Sequence, residues 1–418
     1  MSDATSDARI LGFVEALAVV MGHATRIGLP ETENFVLLAS AGRVLAENVM
    51  ADRDQPPFDR STRDGFAVQA AGWSAGQKLR VVGQVRAGEV WALGAVEAGC
   101  AVEIMTGAAV PQGADAVAMI EHVEQGGSEV WAKVGRSLRA GENVVSGGSE
   151  AHRGETLLMV GTTIGAAEVA VAAACGRADL AVYRQPVVAI VATGDELVEL
   201  DQTPEVHQIR NSNSYALAAM VEAAGGQAAR LAIARDTLTD LREKISEGRK
   251  SDLLLLSGGV SAGKYDLVEQ VLAEFGAEFF FTGVRMQPGK PVVFGRIPRD
   301  KSTHERGWTY FFGLPGNPVS TQVTFHCFVE PMLRGLCGAE IASPKFVQAT
   351  LAEDVKGKAG LTRLLPSHFR HELERPEVRL VGWQGSGDLG ANARANCYAV
   401  LPDGRDLQAG DVITVLLR

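Results

Sequence analysis

Between residues 185 and 338, short runs of uninterrupted apolar residues alternate with longer amphipathic stretches. The runs are VVAIVA at 187–192, LLLLS at 253–257, FFFTGV at 279–284 and TYFFG at 309–313. A strand with one face in water alternates apolar and polar residues, so runs without alternation suit strands buried on both faces. Between them, SNSYALAAMVEAAG, DTLTDLREKISEG and KYDLVEQVLAEFG carry the spacing of amphipathic helices. Strand and helix alternating in this way are the pattern of a doubly wound α/β domain with a parallel sheet.

The whole chain, 418 residues, is long enough for about three domains of roughly 150 residues each. Residues 1–48 hold a helix-like run, ILGFVEALAVVM, and the segment FVLLASAGRVLAENV. Helix propensity returns in IGAAEVAVAAACG, so residues 153–184 are expected to pack back on 1–48 as one discontinuous helical linker domain. Residues 49–152, rich in Gly and Val with strand-sized pieces between turns, read as an inserted β-rich domain. After the α/β domain at 185–338, residues 339–418 read as a small β domain, with LPDG and QAGD as hairpin signals. The polar stretch RDKSTHERG at 299–307 is expected to be an exposed loop.

Charge and cysteine content narrow the function. A formal net charge of −10 argues against general nucleic-acid or acidic-membrane binding, since both need a positive excess. An anionic substrate then requires a local pocket of Lys, Arg or metal. The five cysteines are scattered without a Cys-x-x-Cys pair, which is neither a disulfide framework nor a zinc-ribbon spacing and fits a reducing, cytoplasmic compartment. His368 and His371 lack the spacing and the Glu of a helical zinc motif and read as surface residues. The polar, acidic N-terminus has no basic leader, and the apolar stretch at 10–21 is too short to span a bilayer and carries Glu15.

Ligands of an open parallel sheet bind beyond the carboxyl ends of its strands. There this sequence places Thr193, Gly194, Asp195 and Glu196; then Asp236; then Ser257, Gly258, Gly259, Ser261, Gly263 and Asp266; then Pro315 and Pro318. The segment SGGVSAG has the makings of an oxyanion cradle, because glycines let the backbone approach a phosphate and N–H groups at a helix start face it. It lacks the Gly-Lys-Ser/Thr ending of a P-loop and the Gly-x-Gly-x-x-Gly of a dinucleotide fold. Asp195, Glu196, Asp236 and Asp266 are oxygen ligands suited to Mg²⁺ held through waters and substrate phosphates. Two of them carry a second reading, Asp236 as a helix cap and Asp266 as a helix-start charge. Lys290, in the proline-rich turn MQPGKP, is a point charge for an oxyanion or a solvated surface lysine.

Taken in chain order, PPFDRSTRDGFAV, IMTGAAVPQGAD, GEN at 141–143, VATGDEL, SGGVSAGKYD, MQPGKPVVFG, GLPGNPVS and QGSGDL resemble the MoeA family, the molybdopterin molybdenumtransferases that include the gephyrin E-domain. The motifs span nearly the whole chain. The resemblance implies a four-domain subunit in an elongated homodimer, with a MogA-like α/β domain shared with the adenylyltransferases acting one step earlier. It implies insertion of molybdate into adenylylated molybdopterin, with Mg²⁺-dependent hydrolysis of the pterin phosphate–AMP bond and release of AMP and molybdenum cofactor.

By the same resemblance, Glu196, Asp236 and Asp266 belong to the nucleotide, metal and pterin pocket. Asp64 and Thr106 match polar positions brought from the partner subunit. Lys290, Ser320, Ser386 and Arg363 match the oxyanion region, where the last domain closes over the cleft, and Pro315 and Pro318 shape the loop beneath. Expected partners are the molybdopterin adenylyltransferase upstream and Mo-enzyme chaperones or cofactor-modifying enzymes downstream, with no nucleic acid and no membrane. Two positions depart from the family pattern: Asn143 stands where Asp is frequent, and Gln287 where many members carry Lys. The alternatives are a catalytically weak paralogue acting as a molybdopterin-binding scaffold, a tungstate-preferring transferase, or an adenylyltransferase built on the same domain. The last leaves the inserted and C-terminal domains unexplained.

Overall fold

The apolar runs of residues 185–338 meet in a six-stranded sheet. In the computed structural model, which describes residues 9–259, 267–299, 307–340, 343–371 and 375–418, the strand order is Gln227–Arg230, Val187–Ala192, Leu253–Ser257, Trp308–Leu314, Val293–Pro298 and Glu278–Phe281. The first four strands run parallel, and Val293–Pro298 is antiparallel to both of its neighbours, Trp308–Leu314 and Glu278–Phe281. Successive side chains of a strand face opposite ways, and the central strands divide accordingly. Val188, Ile190, Leu253 and Leu255 enter one core, with Leu217 and Val221 of the helix Ser212–Ala223. Ala189, Val191, Leu254 and Leu256 enter another, with Leu241 and Ile245 of the helix Leu238–Gly248. Each buried aliphatic side chain contributes about 1.5–3 kcal/mol, so both faces are anchored. The helices that follow the two central strands, Ser212–Ala223 and Leu267–Glu274, pack in opposite cores, and a crevice opens between the carboxyl ends of Val187–Ala192 and Leu253–Ser257.

The run at 279–284 serves two sheets rather than one. Glu278–Phe281 pairs antiparallel with Val293–Pro298, whereas Gly283–Gln287 pairs parallel with both Ile10–Gly12 and Thr362–Arg370. The second sheet is a small β barrel: Thr362–Arg370, Glu377–Leu380, Phe346–Leu351, Val412–Leu417 and Cys397–Leu401 follow one another, and the last pairs back to the first.

Segments on either side of the inserted β region pack on each other. Thr32–Val36 pairs with Asp179–Tyr183, Val49–Met50 pairs with Thr156–Leu158, and Leu45, Val49, Ile164, Ala172, Leu180 and Val182 share a core. The helix Phe13–Ala24 lies elsewhere, with Phe13, Ala16, Val20 and Ala24 packed in the α/β core beside Met332 and Leu333. Between these segments, a six-stranded sheet runs in the order Ala116–Met119, Gly65–Val68, Cys100–Ile104, Leu79–Val85, Glu129–Ala132 and Val123–Gly126. No helix among the described residues is long and apolar enough to cross a membrane.

The stretch expected as an exposed loop at 299–307 begins inside the protein, and its residues 300–306 lie outside the described ones. Arg299 is 5% exposed and ion-pairs with Asp252 at 3.1 Å. Arg184 approaches the same carboxylate at 3.1 Å, and the Val187 N–H donates to it at 2.8 Å. A buried carboxylate requires such partners, and that requirement draws Arg299 inward. Burial alone would raise the Asp252 carboxyl, but the Val187 N–H and the two guanidiniums outweigh it and hold it below its usual range. Its contribution is therefore present above the ordinary carboxylate pKa of about 3.9 and is lost as pH falls through the lower folded value. Asp252→Ala leaves a buried guanidinium unpaired and is expected to cost about 3–5 kcal/mol in urea unfolding. An unchanged midpoint would contradict the assigned role.

Candidate active site

The carboxyl edge of the parallel strands opens on a cleft of about 1080 Å³. Thr193, Gly194, Glu196 and Asp236 line one part of it, and Ser257, Gly258 and Gly259 another. Lys290, Pro315, Pro318, Ser320 and Ser386 line the remainder. Asp236 arrives because the chain beyond Gln227–Arg230 stays beside the central strand through a bridge between Thr193 and Ala234. Asp195 does not line the cleft; its carboxylate accepts the Asp236 N–H at 3.3 Å. Ser261, Gly263 and Asp266 lie outside the described residues.

The glycine turn follows the expected logic. Gly258 has φ +97, and a Cβ there would sit 2.5 Å from the Thr193 carbonyl oxygen. Only glycine permits that approach without displacing backbone. Thr193 is 3% exposed, and its hydroxyl has no hydrogen-bond partner among the described residues, so a buried polar atom is left for a ligand to satisfy. Asn213, which the sequence reading missed, ties the loops together: its amide donates to Ser257 Oγ at 3.0 Å and to the Gly316 carbonyl at 2.7 Å. Its signal is the Asn-Ser-Asn-Ser start of a helix, where Asn211 caps by accepting the Ser214 N–H. That pattern reads as a cap and hides the second role of the next Asn.

Burial first, and then the charges of Asp195 and Glu196, push the Asp236 carboxyl up; the Asp195 N–H offsets part of the rise. Among the described residues no cation contributes to this balance, so this acidic end favours a positive charge. No three His, Cys, Asp or Glu side chains form a metal-holding group among the described residues. Glu196 and Asp236 alone still fit Mg²⁺, which commonly uses one or two carboxylates and completes its shell with water and phosphate.

At the other end, the segment after Trp383 docks on the helix Pro318–Thr324. Asn317 donates to Ser386 Oγ at 2.8 Å, and the Val319 N–H to the Ser386 carbonyl at 3.0 Å. Below them, Asn392 donates to Gln322 at 2.8 Å and accepts from the Tyr398 hydroxyl at 3.0 Å, all buried. Arg363 does not line the cleft. It sits opposite Gln287 in the parallel pairing, and its guanidinium donates to the Lys356 carbonyl.

Asp64 and Thr106 lie together at the ends of adjacent strands of the inserted sheet, Gly65–Val68 and Cys100–Ile104, rather than on this cleft. The Thr106 N–H and hydroxyl both donate to Asp64, at 2.7 and 2.8 Å, and hold that exposed carboxyl below its usual range. Asn143 adopts φ +61, and its amide donates to the Val117 carbonyl at 2.8 Å, a bond a carboxylate could not make. His368 and His371 are exposed.

Three family models match in chain order: the MoeA N-terminal region (domain I and II) over residues 11–176, a probable molybdopterin binding domain over 189–335, and the MoeA C-terminal region (domain IV) over 348–417. A molybdopterin molybdenumtransferase from Nostoc sp. is 36% identical, the match covering 92% of this chain and 88% of the relative. One from Staphylococcus aureus is 33% identical over 90% and 89%. A molybdopterin biosynthesis MoeA protein from Pyrococcus horikoshii superposes with a TM-score of 0.79 at 27% identity, covering 98% of this chain and all of that structure, 100%.

The raised Asp236 carboxyl generates a prediction. In chelator-treated protein, NMR titration should find it above the ordinary value of about 3.9. The folded state then binds the proton more tightly than the unfolded chain, so Asp236 costs stability as pH rises through that window. Glu196→Gln removes one neighbouring charge and should lower the midpoint without fully normalising it, because burial remains. An unmoved midpoint would mean the two carboxylates do not interact.

Proposed function

The chain belongs to the MoeA family, the molybdopterin molybdenumtransferases, and on that premise we propose that its cleft inserts molybdate into adenylylated molybdopterin and cleaves the pterin phosphate–AMP bond. The enzyme is a transferase of molybdenum cofactor biosynthesis. One observation carries the finer reading: a single cleft has a glycine cradle and carboxylates at one end and Lys290, Ser320 and Ser386 at the other.

Those ends suit two different anions. The phosphoanhydride lies over the backbone of residues 257–259, where the absent side chain of Gly258 lets it approach. Glu196 and Asp236 would hold Mg²⁺, which when bound would neutralise charge on the phosphates. Asp266, Ser261 and Gly263 join this end by resemblance to the family. Hydrolysis adds water across the anhydride: the P–O–P bond breaks, AMP leaves, and the pterin keeps its phosphate monoester. At the other end, Lys290 and the Ser320 and Ser386 hydroxyls bind molybdate, since a tetrahedral dianion is best held by cationic and hydroxyl donors. The two dithiolene sulfurs replace one oxo ligand of molybdate, which departs as one water carrying the two thiol protons.

We place Asp64 and Thr106 at the cleft of the other protomer in a homodimer. They are exposed and absent from the lining of their own cleft, and they are already tied to each other. The reaction is assigned to the cytoplasm, after a molybdopterin adenylyltransferase and before Mo-enzyme chaperones or cofactor-modifying enzymes.

The test is AMP release from adenylylated molybdopterin with Mg²⁺, with and without molybdate. Release should require both, and Glu196→Ala should lower it by roughly 10²-fold or more, the scale for losing one charge-stabilising group, with an unchanged circular dichroism spectrum. Molybdate-independent release, or full turnover by the variant, would overturn the proposal.

A further inference from the structure

Lys358 stands outside every role assigned so far. It lies on an exposed loop of the C-terminal barrel, yet its ammonium donates to Gln287 Oε1 of the α/β domain at 3.0 Å. Gln287 lines the cleft and pairs in register with Arg363. The ion pairs within the barrel, among the described residues, are Lys356–Asp406 and Arg379–Glu377. Neither takes up Lys358 or Arg363, so two cations without carboxylates flank one wall of the cleft.

The loop is built to hold this position. Asp406 accepts the Gly357 N–H at 2.7 Å and the Lys356 ammonium at 2.9 Å, and Asp403 accepts the Gly360 N–H at 2.6 Å. A Cβ at Gly357 would sit 2.6 Å from the Arg405 carbonyl carbon, so the two turns touch through bare backbone. Such pinning is more than a solvated lysine needs.

An ammonium has donors only, so it fixes which end of the Gln287 amide turns toward it. With Oε1 engaged, the NH₂ group is the amide's remaining face. A neutral amide also leaves the charge of Lys358 unquenched, which a carboxylate at that position would not. We infer that Lys358 is a positioning residue for oxyanion binding: it orients the Gln287 amide as a donor and supplies the second positive charge, beside Lys290, at the molybdate end. This rests on the proposed assignment of that end to a metal oxyanion. Because the lysine comes from the C-terminal domain, the anion site is complete only when that domain is docked.

The experiment is equilibrium dialysis of molybdate, and separately of tungstate, against the full chain at low salt. Lys358→Gln should weaken binding about tenfold, the size of one charge-assisted contact. The double variant Gln287→Lys with Lys358→Gln, which returns the charge from the opposite side, should recover affinity to within about twofold. Raising ionic strength should weaken the wild type more than Lys358→Gln. An unchanged dissociation constant in Lys358→Gln overturns the inference, as does a loss that Gln287→Lys fails to repair or a wild type that binds neither oxyanion. AMP release by the wild type, run in parallel, separates the cases: its absence removes the proposed reaction, while dialysis alone decides Lys358.

Discussion

The parallel pairing of Met286 with Thr362 and Gln287 with Arg363 joins the C-terminal barrel to the α/β domain at the point where the cleft needs both. Upstream of it, the same chain has just left the edge of the α/β sheet at Phe281; downstream, it turns through Pro288 and Gly289 to Lys290. Two further attachments depend on that register. Ser386 meets Asn317 and Val319 across the cleft, and Asn392 meets Gln322 in the buried network beneath. Buried polar contacts with every member satisfied favour one docked geometry over its neighbours, since each alternative leaves a desolvated group unpaired. The cleft is thus a property of the junction rather than of either domain.

Charge is distributed along the cleft in a way the net value of −10 conceals. Asp195, Glu196 and Asp236 concentrate negative charge beside the glycine cradle, and burial first, then the two neighbouring charges, raise the Asp236 carboxyl. Lys290 lies with hydroxyls at the far end, and Lys358 and Arg363 stand behind the wall. An adenylylated dithiolene with a molybdate beside it has the complementary layout, with phosphates that call for a cation and an oxyanion that calls for donors. Coulombic interactions over a few ångströms in a partly desolvated cleft are stronger than across open water, so in the proposed reaction this polarity would set which way round the substrate lies.

Much of this was legible from residue order. Uninterrupted apolar runs marked the buried strands because burial on both faces removes the need for polar residues, and Val188 to Val191 and Leu253 to Leu256 are indeed fully buried. That Thr193, Gly194 and Glu196 lie beside Ser257, Gly258 and Gly259 was readable because topology forces strand ends together, although Asp195, between Gly194 and Glu196, does not line the cleft. What hydrophobicity cannot encode is the partner. It marks 279–284 as buried without revealing that the chain changes sheets after Phe281, and it gives Phe13–Ala24 an apolar stripe without stating which core receives it. Polar side chains that work over long separations were invisible for a related reason. Arg299 reads as surface until Asp252 is seen to need it, and Asn213 reads as part of a helix cap until Ser257 and Gly316 are beside it.

We place the nucleotide phosphates at the acidic end of the cleft and the metal oxyanion at its cationic end. Anomalous scattering at the molybdenum edge tests it most directly, using crystals of the full chain soaked with molybdate and AMP. A molybdenum peak is expected among Lys290, Ser320 and Ser386, with the AMP phosphate over the glycine turn at 257–259. Molybdenum bound beside Glu196 and Asp236, or AMP phosphate at Lys290, would contradict it.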